Sequence, residues 1–206
     1  MADGIPKEDL ERMLFFDEAR KQAQADLKKD PKNAAAFTRL GGALLELAHF
    51  RSGNEAYEMI EQAVSKFQSA LKINEKKHDA LWCLGNAYTS QGFLNTDSGK
   101  AQEFFLMAAE CFKKAVAEDP NNEVYKKALD MSAKAPQLHA ELQKQLHAQQ
   151  AIQQSQGQPG SGKGAASSKS AGGDSDVWYD VGGWVILAGV IFGMLAMAAP
   201  PPQPAQ

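Results

Sequence analysis

Residues able to do chemistry are few and scattered in this 206-residue chain. Cys83 and Cys111 stand 28 positions apart without a CxxC, and His49, His78, His139 and His147 form no ligand cluster with them. Neither a zinc module nor a disulfide framework is spelled out, and a reducing cytosolic setting fits. His139 and His147 are expected on the surface. The string GQPGSGKG from Gly157 to Gly164 approaches the phosphate-binding pattern GxxxxGK[ST]. Gly164, however, replaces the metal-coordinating hydroxyl, no strand precedes the string and no helix-forming segment follows it. No catalytic set, cofactor site or metal site emerges, and a non-enzyme is expected. The remaining candidates are contact residues: Trp82, with the acids Glu46 and Asp79, which as helix carboxylates are ordinarily just solvated.

The elements that would carry such contacts follow from composition. The chain has 22 Lys+Arg against 25 Asp+Glu, and only Lys163, Lys169, Asp174, Asp176 and Asp180 lie beyond residue 150. The first 150 residues therefore read as a charge-balanced globular part without the basic footprint of a nucleic-acid binder. Residues 151–176, rich in Gly, Ser and Gln, contain almost no large apolar side chain and cannot offset ordering entropy, so a flexible tether is expected. Its 24-residue core from Gln153 would span roughly 25 to 30 Å.

Residues 177–199 form the next segment, and VGGWVILAGVIFGMLAMAA from Val181 to Ala199 carries no charge. At 1.5 Å per residue those 19 residues cover about 28 Å, close to a hydrocarbon core, so one transmembrane helix is expected. Trp178, Tyr179 and Trp184 sit at its upstream border, where aromatic rings favour the headgroup region. Lys163 and Lys169 before the span, with none after it, place the large domain in the cytosol. PPPQPAQ, residues 200–206, would be a short tail, and the lack of a leader in MADGIPKEDLER fits a tail-anchored chain. Gly182, Gly189, Gly193 and Ala196 share one face of the span. They either let another transmembrane helix approach closely or reflect ordinary glycine abundance in membrane helices.

Within residues 1–150 the chain repeats itself. Phe37, Leu40, Gly41 and Leu44 map onto Leu81, Leu84, Gly85 and Tyr88 at an offset of 44, and Ala63, Phe67 and Ala70 onto Ala108, Phe112 and Ala115 at 45. This pattern resembles the tetratricopeptide repeat, W-x2-L-G-x2-Y followed by Ala, Phe, Ala and Pro, with Pro120 in the second copy and Glu75 at that place in the first. The fold class expected from it is all-α: tetratricopeptide-like hairpins at about 34–77 and 78–122, with flanking capping helices. The 10 or 11 residues in excess of the 34-residue period imply elongated arms. Asn54 and either Asp97 or Ser98 are the expected caps of the second helices. A leading helix from Pro6 to about Lys29 and a last helix from about Asn122 to Gln150, kinked at Pro136, bring the expected count to six.

Helical repeats, a polar tether and a terminal span in this order resemble the plant-type twenty-kilodalton receptors of the mitochondrial outer-membrane translocase. The runs carrying the resemblance are LFFDEARK from Leu14, TRLGGALLELA from Thr38, ALWCLGNAYTS from Ala80 and AKAPQLHAEL from Ala133. It implies a single-pass mitochondrial outer-membrane protein that binds the targeting presequences of cytosolic precursors and passes them to the import pore. Contacts to other translocase subunits would run through Gly182, Gly189, Gly193 and Ala196. In tetratricopeptide domains the first helix of each hairpin lines the concave face, which assigns Thr38, Gly42, Leu45, Trp82, Asn86 and Thr89 as candidate presequence-binding residues. Trp82 either offers a large apolar contact there or packs against the adjoining hairpin. Two alternatives share parts of this pattern, a tail-anchored organelle-fission adaptor and a chaperone-docking adaptor. The uncharged tail argues against the first, and Thr38 and Gly42 in place of a Lys/Asn clamp argue against the second.

Overall fold

The computed structural model describes residues 6–156, with side chains as far as Ala148. The described residues form seven helices and no strand: α1 Lys7–Lys29, α2 Ala34–Ala48, α3 Gly53–Ile73, α4 His78–Leu94, α5 Ser98–Glu118, α6 Glu123–Ser132 and α7 Ala135–Gln156. All of them but Gln156, the last residue of α7, belong to one compact unit, Met1–Ser155. Among the described residues no helix is long and apolar enough to cross a membrane. The apolar run 181–199 and the expected tether beyond 156 lie outside them, whereas residues 151–156, expected in the tether, continue the last helix past Gln150, since no Gly or Pro interrupts the chain before Gly157.

Short polar turns start and stop these helices. Asn33 accepts from the Ala36 N–H at 2.9 Å to cap α2. Asp97 accepts from Gly99 and Lys100 to cap α5, and Asn122 accepts from Val124 and Tyr125 to cap α6. Each bond satisfies an amide that the first helical turn leaves without an intrahelical partner. At the start of α3 the expected cap is displaced. Ser52 holds the cap position and Asn54 lies inside the helix, while Gly53 at its first position takes φ +58°, a left-handed conformation that glycine adopts without strain. The excess residues of each repeat lengthen the second helix, and α3 and α5 are 21 residues each.

Packing joins neighbours in chain order from α1 to α6, and α2 also touches α4. Glycine facing phenylalanine sets two of these contacts. A β-carbon on Gly41 would lie 2.6 Å from the Phe67 ring, and one on Gly85 would lie 2.5 Å from the Phe112 ring. Phe67 and Phe112 are fully buried, flanked by buried Ala63, Ala70, Ala108 and Ala115. Gly92 lies against Phe105 in the same way. Gly85 opposite Phe112 and Gly92 opposite Phe105 make α4 and α5 antiparallel. Gln68 on α3 donates to the Tyr88 hydroxyl on α4 at 3.1 Å, tying one helix pair to the next.

The last helix of the sequence reading is two helices. The chain breaks at Ala133–Lys134, and Pro136 sits in the first turn of α7, where its missing N–H leaves no intrahelical bond unmade. Pro136 thus begins a helix instead of kinking one, and the described helices number seven. His139 is not on the surface. It is 2% exposed, its Nε2 lies 2.8 Å from the Asn95 carbonyl, and its ring packs against Phe93 and Phe105. With Ala135 set against Ala101 and Phe105, this docks the start of α7 on the α4–α5 turn. Further along, Leu142 and Leu146 are exposed.

Because the Gly85–Phe112 contact leaves no room for a methyl group, Gly85→Ala is expected to destabilise the chain by about 1–3 kcal/mol through overpacking. Urea denaturation followed by helical circular dichroism measures this. An unchanged midpoint would mean that the Phe112 ring has free space to retreat into.

Candidate functional site

Two helices, α2 and α4, carry every candidate contact residue. Both are buried almost all round: Leu40 to Ala48 in α2 and Ala80 to Thr89 in α4 are all shielded from solvent. A helix apolar on every side belongs in the middle of an array, and here α1 and α3 flank α2, while α3 and α5 flank α4.

The six candidate residues are therefore interior and not an open surface. Thr38 and Thr89 are 4% and 6% exposed, and their hydroxyls donate back to the carbonyls of Ala34 and Gly85 at 3.0 and 2.9 Å. Gly42 is buried, and Leu45 and Asn86 keep 8% exposure each. Trp82 is 7% exposed, and its ring lies 6.0 Å from that of Tyr125 on α6, so it packs on the adjoining helix. Its indole Nε1 is buried without a hydrogen-bond partner. Tyr125 is anchored in turn by His78, whose Nδ1 stands 2.9 Å from its hydroxyl. Burial first, then the negative charge of Asp79, pushes the Tyr125 hydroxyl well above its ordinary range.

One acid departs from the solvated surroundings expected of it. Glu46, one position after Leu45, is 4% exposed and so is not a solvated acid. Its Oε2 is buried without a hydrogen bond, and the Arg12 guanidinium of α1 stands 3.6 Å away. Arg12 is also 3.9 Å from Asp9 and lies over the Phe50 ring at 5.6 Å. Burial pushes the Glu46 carboxyl up to about 7, and Arg12 offsets only part of that rise. The legible signal was a single charge inside the apolar run Leu40 to Ala48.

Nothing here resembles a reaction centre. Among the described residues no three His, Cys, Asp or Glu side chains gather as a metal site would require. Burial holds the Cys83 thiol well above its ordinary range and pushes that of Cys111 up to about 11, leaving both protonated at neutral pH. The buried stretches of α2 and α4 are thus largely apolar with one acid, Glu46, and hold nothing arranged for bond-making.

Comparison with known proteins gives these helices a context. The family model described as plant specific mitochondrial import receptor subunit TOM20 matches residues 10–199. Mitochondrial import receptor subunit TOM20-3 of Arabidopsis thaliana is 45% identical over 181 residues, covering 87% of this chain and 88% of the relative. Subunit TOM20-2 of the same plant is 42% identical over 204 residues, covering 96% and 97%. Subunit TOM20-4 is 39% identical over 188 residues, covering 91% of each.

Between pH 4.5, the ordinary carboxyl value, and about 7, folded Glu46 holds a proton that the unfolded chain has released. Stability from this group therefore falls as pH rises through that window. Arg12 is half exposed and is not stranded by losing its partner. Glu46→Gln is accordingly expected to stabilise the chain by about 1–3 kcal/mol at pH 8 and to change little at pH 4. Urea midpoints at the two pH values measure this, and a loss of stability at pH 8 would contradict it.

Proposed function

The chain belongs to the plant-specific TOM20 family of mitochondrial import receptor subunits, and on that premise we propose that it captures precursor proteins in the cytosol by their targeting presequences and delivers them to the outer-membrane translocase. The observation that carries this reading is a match running through both the helical unit and the apolar segment, residues 10–199. Such a receptor binds and releases its cargo without bond chemistry. The function is that of a non-enzymatic receptor.

A presequence is an amphipathic helix, rich in Arg and poor in acids. A helix of that kind is bound by laying its apolar side in a groove. Here the groove is assigned to the α2–α4 face, with Thr38, Gly42, Leu45, Trp82, Asn86 and Thr89 as its floor. The hairpins α2–α3 and α4–α5 are read as tetratricopeptide-like with elongated arms. The Gly41–Phe67 and Gly85–Phe112 contacts support this, since they put the glycine and phenylalanine of the repeat pattern against each other in both copies. A rigid array of helices keeps such a face preformed, which lowers the ordering cost of binding.

The remaining segments complete the proposal. Residues 157–176, after the end of α7, tether the receptor domain, and residues 177–199 anchor it as a single span in the mitochondrial outer membrane, with the helical unit in the cytosol. Gly182, Gly189, Gly193 and Ala196 offer the close-packing face toward other translocase subunits.

Full-length protein in detergent micelles, titrated with a labelled presequence peptide and with a scrambled, non-amphipathic control, tests the receptor role. The presequence is expected to bind at least about tenfold more tightly, a difference of about 1.4 kcal/mol. Equal binding of the two would defeat the reading. The anchor has its own check: alkaline carbonate is expected to leave the chain with the membrane pellet, and its release into the supernatant would contradict a spanning segment.

A further inference from the structure

We propose that Glu46 is the acid that recognises a presequence arginine, and that Arg12 occupies it in the empty receptor as a built-in stand-in for that arginine. The proposal rests on the receptor reading and names the group on its binding face that selects for positive charge. Its basis is a long ion pair on a buried acid: pairs of similar length, such as Lys7–Glu11 and Arg51–Glu55 at 3.7 Å, have acids exposed to water, whereas the Glu46 side chain is 5% exposed. Arg39 approaches Asp26 to 2.7 Å and Arg20 approaches Asp17 to 2.6 Å, both at hydrogen-bond length. Arg12 stops 3.6 Å from Glu46, leaving Oε2 without a hydrogen bond although the carboxylate is almost wholly buried. An ionised carboxylate so placed is costly unless its lone pairs are filled, and the partner that fills them best is a guanidinium in bidentate contact.

Arg12 is built to leave. Its side chain is 45% exposed, and it is shared between Glu46, Asp9 at 3.9 Å and the Phe50 ring. Moving outward, it keeps Asp9 as a partner and meets water it already touches. The incoming arginine then replaces one guanidinium by another, so the net charge around Glu46 is unchanged while its unfilled oxygen gains a donor. Leu45, next to Glu46 on α2, would place an apolar side chain of the presequence beside that arginine. The other titratable groups near Glu46 are His49 on its own helix, held toward its neutral form by burial and by Arg12, and the protonated Cys83 on α4.

A proton signature follows. Near neutrality Glu46 is partly protonated, whereas a bidentate guanidinium requires the carboxylate. Binding therefore expels a fraction of a proton, and affinity increases with pH across this range.

The test measures affinity of the full-length chain in detergent for a presequence peptide, for the same peptide with its arginines replaced by neutral citrulline, and for a scrambled control, at pH 6, 7 and 8. Wild-type affinity for the arginine peptide is expected to rise severalfold from pH 6 to 8, and the citrulline peptide is expected to bind weakly with no such rise. Glu46→Gln is expected to flatten the pH dependence and to bind the arginine peptide about tenfold more weakly at pH 8. Arg12→Gln, lacking the competitor, is expected to bind severalfold more tightly at pH 8. If Glu46→Gln keeps the wild-type affinity and pH slope while scrambled peptide is still rejected, the receptor role stands and this proposal falls. Failure of the wild type to separate presequence from scrambled peptide would overturn both.

Discussion

The closeness of helix backbones at a few glycines is the constraint on which the rest of the structure depends. Gly41 against Phe67, Gly85 against Phe112 and Gly92 against Phe105 leave no space for even a methyl group, so the spacing within α2–α3 and α4–α5 is fixed by ring thickness. Interiors packed to this density do not deform gradually. The orientation of α2 and α4, and with it the face they share, is inherited from these contacts. The links Gln68 to Tyr88 and Trp82 to Tyr125 then set one hairpin against the next and against α6.

Much of this was legible because repetition exposes it. Two copies of Leu-Gly followed by Ala, Phe and Ala identify the tight contacts without reference to any neighbour, since residue type alone says what can approach what. Gly92 and Phe105 lie outside that skeleton, so the repeat does not pair them, although they are the third contact of the same kind. Whether Pro136 kinks a helix or begins one depends on where the preceding turn falls, which local sequence does not set. Burial of polar groups was the least visible property. Glu46 is covered by Arg12 from α1, and His139 is held by the Asn95 carbonyl from the α4–α5 turn, and neither relation is local in sequence.

The same limit explains the candidate binding face. Counting along helices places Thr38, Gly42, Leu45, Trp82, Asn86 and Thr89 on one side of α2 and α4, but helical spacing cannot say how far neighbouring helices close over that side. The structure has it nearly closed, with Trp82 laid against Tyr125 and the threonine hydroxyls turned back to their own helices. On the proposed reading, a presequence receptor built this way relies on an apolar floor and on one acid whose charge is suppressed until a suitable cation arrives. Association of this kind is selective for amphipathic, arginine-bearing helices over merely greasy ones, because a neutral apolar segment leaves the acid unrewarded.

Cargo is proposed to lie along α2 and α4. Site-specific photocrosslinking measures it directly, using a presequence peptide that carries a photoreactive group at one apolar position, with the full-length receptor in a membrane and the products mapped by mass spectrometry. Adducts are expected on α2 and α4, concentrated around Leu45, Glu46 and Trp82. Adducts confined to the exposed apolar residues elsewhere, Leu10 and Leu14 on α1 or Leu106 and Met107 on α5, would contradict it.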